Sequence, residues 1–274
     1  MSCSHQAVTK PRRCRIGIWA SAFLIGVLLS ACQSSDGSGT SSVGTSSVGT
    51  SSVGTPTASS ARTQELPGCH EGQHCAFDAG TYVLGADSVL PGMKLTLPTG
   101  WSATENDAGE LALVPPGQPD DKLFVWTDLV AVKSTGAGHG TTVLTEVKPT
   151  PEGLISWLTT NPDFTIVTKP AARTLAGNPM RTLTLAVSRT ARYGDPGCPA
   201  NPRCADIFTK PGLWGENFYG IGGDSEDTLS FGTINTKNGT HTLIVNLDAL
   251  NHVDAAKLAT TARPILDSIQ LPTG

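Results

Sequence analysis

The chain has 274 residues, with 23 acidic and 19 basic side chains, a net charge of −4 and 38% apolar residues. Its first 31 residues hold four of the cations (Lys10, Arg12, Arg13, Arg15) and no acid, so the remaining 243 carry −8. An acidic remainder argues against nucleic acid as a partner and against direct attraction to anionic lipid head groups.

In chain order, the basic segment is followed by an apolar stretch from Ile16 to Leu29 and then by Leu29-Ser30-Ala31-Cys32. Basic, apolar, then small is the order of a secretory signal. The stretch is shorter than the roughly 20 residues of a spanning helix, and Gln33-Ser34-Ser35-Asp36 ends it at once. Arg12-Arg13 invites a twin-arginine reading, but Cys14-Arg15-Ile16 is not the sequence that usually follows such a pair. Residues 39–55 then repeat Gly-Thr-Ser-Ser-Val three times and close with Gly54-Thr55. Such a tract has almost nothing to bury and is expected to be a flexible tether. About 28 tether residues give a root-mean-square reach near 30 Å. Its Ser and Thr are candidate O-glycosylation sites, with an unmodified spacer as the alternative.

The three expected regions are a signal peptide at 1–31, a lipid-bearing Cys32 with its tether at 32–60, and one folded domain at 61–274. Within the domain, strands are expected at Tyr82–Leu84, at Met93–Leu97, which alternates with period 2, and at Glu110–Val114, with a turn at Pro98–Trp101. Lys122–Lys133 is the longest strand candidate. Thr150 can cap a helix that opens with Pro151, buries Leu154, Ile155, Trp157 and Leu158, and stops at Asn161-Pro162. Further strands are expected at Phe164–Thr168, Arg173–Ala176 and Met180–Val187, with a turn at Gly177-Asn178-Pro179. Residues 189–205 read as a long loop. Lys237-Asn238-Gly239 should turn a hairpin between Thr228–Ile234 and Thr240–Leu247. A helix from Asp254 to Ile269 closes the chain, kinked or divided by Pro264. Strands with two helices indicate α+β, an antiparallel sheet with the helices on one face.

Of the seven cysteines, Cys3 and Cys14 leave with the signal, and Cys32 is expected to carry the lipid. Cys69, Cys75, Cys198 and Cys204 remain, and an even number in an exported chain predicts two disulfides. Both pairs share the spacing Cys-x5-Cys in Pro/Gly-rich loops, which favours local bridges 69–75 and 198–204. A crossed connectivity is the alternative. His70 and His74 lie within the first pair and could complete a zinc site. The spacing is not a standard one, and both are expected as exposed loop residues.

Leu29-Ser30-Ala31-Cys32 resembles the lipobox of lipoprotein precursors, and with the Gly/Ser/Thr linker residues 1–60 resemble envelope lipoproteins of actinobacteria, the mycobacterial type. That resemblance implies a diacylglyceryl group on the Cys32 thiol, which becomes the first mature residue, and attachment to the membrane within the cell envelope. The folded part resembles the Mog1/PsbP-like sandwich of some of those lipoproteins, through Leu95-Thr96-Leu97-Pro98-Thr99-Gly100-Trp101 and the closing strand and helix, Leu243 to Ile269. No catalytic residues come with it.

No nucleophile elbow, Ser-x-x-Lys, His-Glu-x-x-His or P-loop occurs in the sequence. Gly136–Gly140 reads as a strand connection. Gly222-Gly223-Asp224-Ser225-Glu226-Asp227 could offer oxygens to calcium but lacks the EF-hand spacing, and reads as a solvated acidic loop. His241 and His252 have no partner legible in sequence. Trp126, Trp157 and Phe164 are expected in the core, whereas Trp214, Phe218 and Tyr219 lie in a Gly-rich stretch, where core or loop packing is favoured and lining a groove is the alternative. The reading is a lipid-anchored envelope protein without cofactor, leaning non-enzymatic, that serves as a binding or interaction module for an envelope protein, lipid or glycan. One rival is a carrier of a lipid or small apolar ligand, which requires a cavity between sheet and helix. The other is an envelope hydrolase acting on glycan or peptidoglycan, which requires a carboxylate pair or a Ser-His pair in a cleft.

Overall fold

The computed structural model describes residues 63–272 apart from 71, 135–140, 190, 192–204, 212–217 and 223. The signal segment, Cys32, the repeats, Gly136–Gly140, Cys198, Cys204 and Trp214 lie outside the described residues. Strands β1 (Gln64–Glu65), β2 (Cys75–Ala76), β3 (Gly80–Val83), β4 (Lys94–Leu97), β5 (Ser102–Asn106), β6 (Leu111–Val114) and β7 (Lys122–Thr127) come first. β8 (Val130–Ser134) and β9 (Thr141–Val143) lead to helix α1 (Pro151–Thr160). β10 (Phe164–Leu175), β11 (Asn178–Val187), β12 (Ala205–Thr209), β13 (Phe218–Ile221), β14 (Glu226–Thr236) and β15 (Gly239–Ala249) follow, and α2 (His252–Ser268) closes the fold.

The centre is an antiparallel sheet in the order β10-β11-β14-β15-β7-β6-β5-β2. Its middle strands are apolar on both faces. On β7, Leu123 and Val125 face one core, while Phe124 and Trp126 face another. On β15, Leu243, Val245 and Leu247 join the first core and Ile244 the second. Alternation along a strand puts these sets on opposite sides of the sheet. Each side therefore needs its own cover. Helix α2, through Leu258, Ala262, Ile265 and Leu266, covers the first face together with the small sheet β1-β3-β4. Helix α1, through Leu154, Ile155 and Leu158, covers the second together with the sheet β13-β12-β8-β9. The fold class is α+β as expected, but the helices do not share a face. A sheet whose central strands bury both faces leaves no solvated side for a one-faced packing.

Three further expectations are corrected. Lys122–Lys133 is not one strand. Asp128 takes a left-handed φ of 55° and ends β7. Its backbone N–H donates to Thr242 O at 2.9 Å, its Oδ1 accepts from Thr242 N at 3.0 Å, and the chain then leaves for β12 and β9. The two strands expected within 164–176 are one strand with two register shifts. Its turn is Ala176-Gly177, both at positive φ (51° and 78°), the sense that suits a two-residue hairpin. Helix α2 runs undivided through Pro264, whose exposed position leaves Ala262, Ile265 and Leu266 packed. By contrast, α1 starts as the sequence indicated, with Thr150 Oγ1 accepting from Gly153 N at 3.2 Å and Pro151 in the first turn.

The entry of the chain into the domain is clamped to strand β5. Asn106 on β5 gives its backbone N–H to Cys69 O (2.8 Å) and its Nδ2 to Leu66 O and Pro67 O (3.2 and 3.0 Å). Cys75, on β2, pairs with Ala103 of the same strand. A disulfide joins Cys69 to Cys75, with Cα atoms 6.1 Å apart. Cys69→Ala with Cys75→Ala is expected to lower the unfolding free energy by about 2 kcal/mol, the loop-entropy value for so short a ring. Urea titration of the double variant checks this, and an unchanged midpoint would show that the ring adds nothing.

Candidate functional site

A tight turn between β5 and β6 builds the most unusual cluster among the described residues. Asp107 Oδ1 accepts the backbone N–H groups of Gly109 (2.6 Å) and Glu110 (3.1 Å), an Asx-type closure. Glu110 therefore enters β6 one residue before Leu111, which pairs with Val125. That register sets Glu110 beside Trp126 on the α1 face. Trp126 Nε1 donates to Glu110 Oε2 at 2.9 Å. Glu105 reaches the same place because the β5–β6 register shifts between Ala103 and Glu105. Without that bulge Glu105 would follow Ala103 onto the α2 face. Instead it lies on the same face as Glu110 and raises the Glu110 pKa. From the covering sheet, Tyr219 of β13 lays its ring 4.6 Å from Trp126. Phe124 stacks on the other side of Trp126 at 4.8 Å, with Lys122 Nζ 5.5 Å above it.

Glu110 is 6% exposed and Trp126 2%. Burial, and then the neighbouring Glu105, push the Glu110 carboxyl well above the ordinary range, against weaker opposite pulls from Trp126 and Lys122. A buried carboxyl beside a second one takes up a proton rather than remain charged. Burial also raises the Tyr219 phenol, reinforced by Glu110, Glu105 and Asp107. Beside them, Lys210 donates to Thr127 Oγ1 at 2.9 Å; burial lowers its ammonium pKa, while Asp128 and Asp107 raise it. The arrangement buries an acid against an indole donor beside the aromatic row Phe124, Trp126 and Tyr219.

The sequence-predicted residues are dispersed. His70 and His74 are exposed on the disulfide-closed loop. The acidic run does not form a solvated loop throughout. Glu226 and Asp227 begin β14, where Asp227 is 2% exposed and accepts from Asn246 Nδ2 at 2.7 Å, and Glu226 meets His252 Nδ1 at 3.0 Å. His241 finds a partner in Asp128, with Nδ1 and Oδ2 2.7 Å apart. No group of three or more His, Cys, Asp or Glu is placed to hold a metal among the described residues. Trp126 and Phe164 are buried as expected, and Trp157 lies against Phe164 and Phe208 with ring centroids about 6 Å apart. Tyr219, for which packing was favoured over a groove, packs on Trp126.

Sequence reasoning did not single out Glu105, Asp107, Glu110 or Lys210. The one local signal was the acid-rich run Glu105-Asn106-Asp107 followed by Glu110 at the head of an apolar strand, where a lone carboxyl has no solvated side to turn to. Between α2 and the sheet, the pocket lined by Leu175, Met180, Val245, Leu247 and Leu266 encloses about 10 Å³, space for one water molecule. No helix among the described residues is long and apolar enough to cross a membrane.

No family model and no curated protein matches this chain. Among solved structures it is similar to LpqN, involved in cell envelope biogenesis of Mycobacterium tuberculosis, at 13% identity over 76% of this chain and 90% of that one, with a TM-score of 0.36.

Because the folded state raises the Glu110 pKa, it binds a proton more tightly than the unfolded chain. The resulting stability is complete below the unfolded value of about 4.3 and is lost as pH rises through the higher folded value. Glu110→Gln keeps the shape and removes the titration. Its melting temperature relative to the wild type is expected to climb by about 3 °C or more between pH 5 and pH 9, the shift of roughly 1 kcal/mol in a domain of this size. A constant difference across that range would contradict the buried-proton assignment.

Proposed function

We propose that this chain is a lipid-anchored cell-envelope lipoprotein whose folded domain serves as a non-enzymatic binding or interaction module on a flexible tether. The observation that carries the reading is Leu29-Ser30-Ala31-Cys32, placed directly after a basic segment and an apolar stretch. Two acyl chains on Cys32 would hold the chain at a membrane with roughly 0.8 kcal/mol per buried CH₂. The Gly-Thr-Ser-Ser-Val repeats would then set the domain off the membrane surface. The disulfide between Cys69 and Cys75 fits an oxidising, extracytoplasmic compartment. A second bridge, Cys198–Cys204, belongs to the same reading, as does a Mog1/PsbP-like sandwich, which the cover on both faces of the central sheet supports.

The geometry favours this reading over its two rivals. A lipid carrier needs volume between sheet and helix, and the pocket there holds about 10 Å³. A glycan hydrolase needs two carboxyls separated by about 5 Å or more, with substrate between them. Glu110 instead is 6% exposed and accepts from Trp126 Nε1 at 2.9 Å, with no open face toward a substrate. Cys32→Ala, expressed as the full chain in an actinobacterial host, is expected to leave the membrane fraction and to lack the added diacylglyceryl mass. A variant that still sediments wholly with membranes would overturn the anchor.

A further inference from the structure

We propose that Asn238, at the tip of the β14–β15 hairpin, is a site of spontaneous modification. Its side-chain amide closes on the backbone nitrogen of Gly239, and water then opens the ring to aspartate or isoaspartate. The proposal is independent of whether the chain carries a lipid and of what the domain binds.

Three observations converge on this residue. First, Asn238 is the only asparagine of the sequence that is followed by glycine. A residue without Cβ leaves its nitrogen free to approach the preceding side chain. Second, the surroundings are open. Lys237, Asn238 and Gly239 are exposed, Gly239 takes a φ of 132°, and a Cβ built on it would meet nothing within 4 Å. Third, every other asparagine among the described residues has its side-chain amide engaged. Asn106 donates to Leu66 O and Pro67 O, Asn178 to Ala176 O, Asn246 to Asp227 and Asn251 to Asp254. The side-chain oxygens of Asn161 and Asn235 accept from Asp163 N and Thr240 Oγ1. Asn238 is held only through its backbone N–H, which donates to Thr236 Oγ1 at 3.1 Å, and its side-chain amide has no partner among the described residues.

Water is the single co-reactant. Gly239 N bonds to Asn238 Cγ, the Cγ–Nδ2 bond breaks, and Nδ2 leaves as ammonia with the proton that Gly239 N gives up. Water then adds to the cyclic imide. Cleavage between Gly239 N and Cγ leaves aspartate; cleavage between Gly239 N and the Asn238 main-chain carbonyl leaves isoaspartate. No electrons are transferred. The attacking nitrogen belongs to the last pair of the ladder, Thr236–Gly239, where a hairpin frays first. Either product sets a negative charge beside Lys237, and isoaspartate also lengthens the main chain within the connection between two 11-residue strands.

Ageing of the full chain at pH 8, followed by peptide mapping in a mass spectrometer, tests the site. The peptide that spans Asn238 is expected to gain the mass of an amide turned into an acid, in both isomeric forms, at least tenfold faster than any peptide carrying another described asparagine. Asn238→Gln, whose longer side chain would have to close a larger ring, is expected to remove that gain. The same chain aged in guanidinium chloride separates chemistry from structure. Since a fraying loop opens at a cost near zero, the folded rate at Asn238 is expected to lie within about tenfold of the unfolded one. A folded rate lower than that would overturn the proposal by showing that the turn protects its amide. So would folded-state conversion spread evenly over the described asparagines, or a mass gain that persists in Asn238→Gln.

Discussion

Strands β7 and β15 bury side chains on both of their faces, and the rest of the domain answers to that demand. A strand with one wet face can end a fold, but Leu123, Val125, Leu243 and Val245 on one side and Trp126 and Ile244 on the other leave no such face. At roughly 25 cal/mol per Å² of apolar surface, neither side can be left in water. Helix α2 and the small β1-β3-β4 sheet close one side, and α1 with β8, β9, β12 and β13 close the other. The departure of the chain at Asp128 belongs to the same requirement. The bend ends β7 in the central sheet and sends the next residues into the covering layer.

The acid cluster sits where one apolar row ends. Across the sheet, Phe231 pairs with Ile244 and Ile244 with Trp126, and Glu110 is the next residue along. A carboxyl in that place is favoured in its protonated form by burial, and the Trp126 indole N–H meets it. The raised pKa is therefore a property of the assembled layers.

What could be read from the sequence was local. The capped helix at Thr150-Pro151, the alternation of Met93–Leu97 and the Cys-x5-Cys ring at 69–75 each depend on residues close together in the chain, and each is found in place. The acid cluster draws Glu105 and Glu110 from a hairpin, Trp126 from the next strand and Tyr219 from a strand a long way downstream. A one-residue bulge aims one of the carboxyls, and nothing in the composition of β5 announces it. The side of the sheet taken by each helix was hidden for a similar reason. Amphipathic stripes show that a helix packs on something, and only the two-sided burial of β7 and β15 shows that there are two places to pack. The string of small residues before Cys32 is local in the same sense, and it lies outside the described residues.

The clamp at residues 66–75 has a mechanical consequence. Tension on the chain upstream of residue 63 would pass first to β1 and to the carbonyls of Leu66, Pro67 and Cys69, which hang on Asn106. The ring joining Cys69 to Cys75 shares that load with β2, so force arrives at β5 through two attachments instead of one. Non-covalent contacts at a sheet edge would otherwise peel one at a time. With the covalent ring in place, a pull that frees Asn106 still has to strip β2 from β5 before it can unravel the edge of the central sheet.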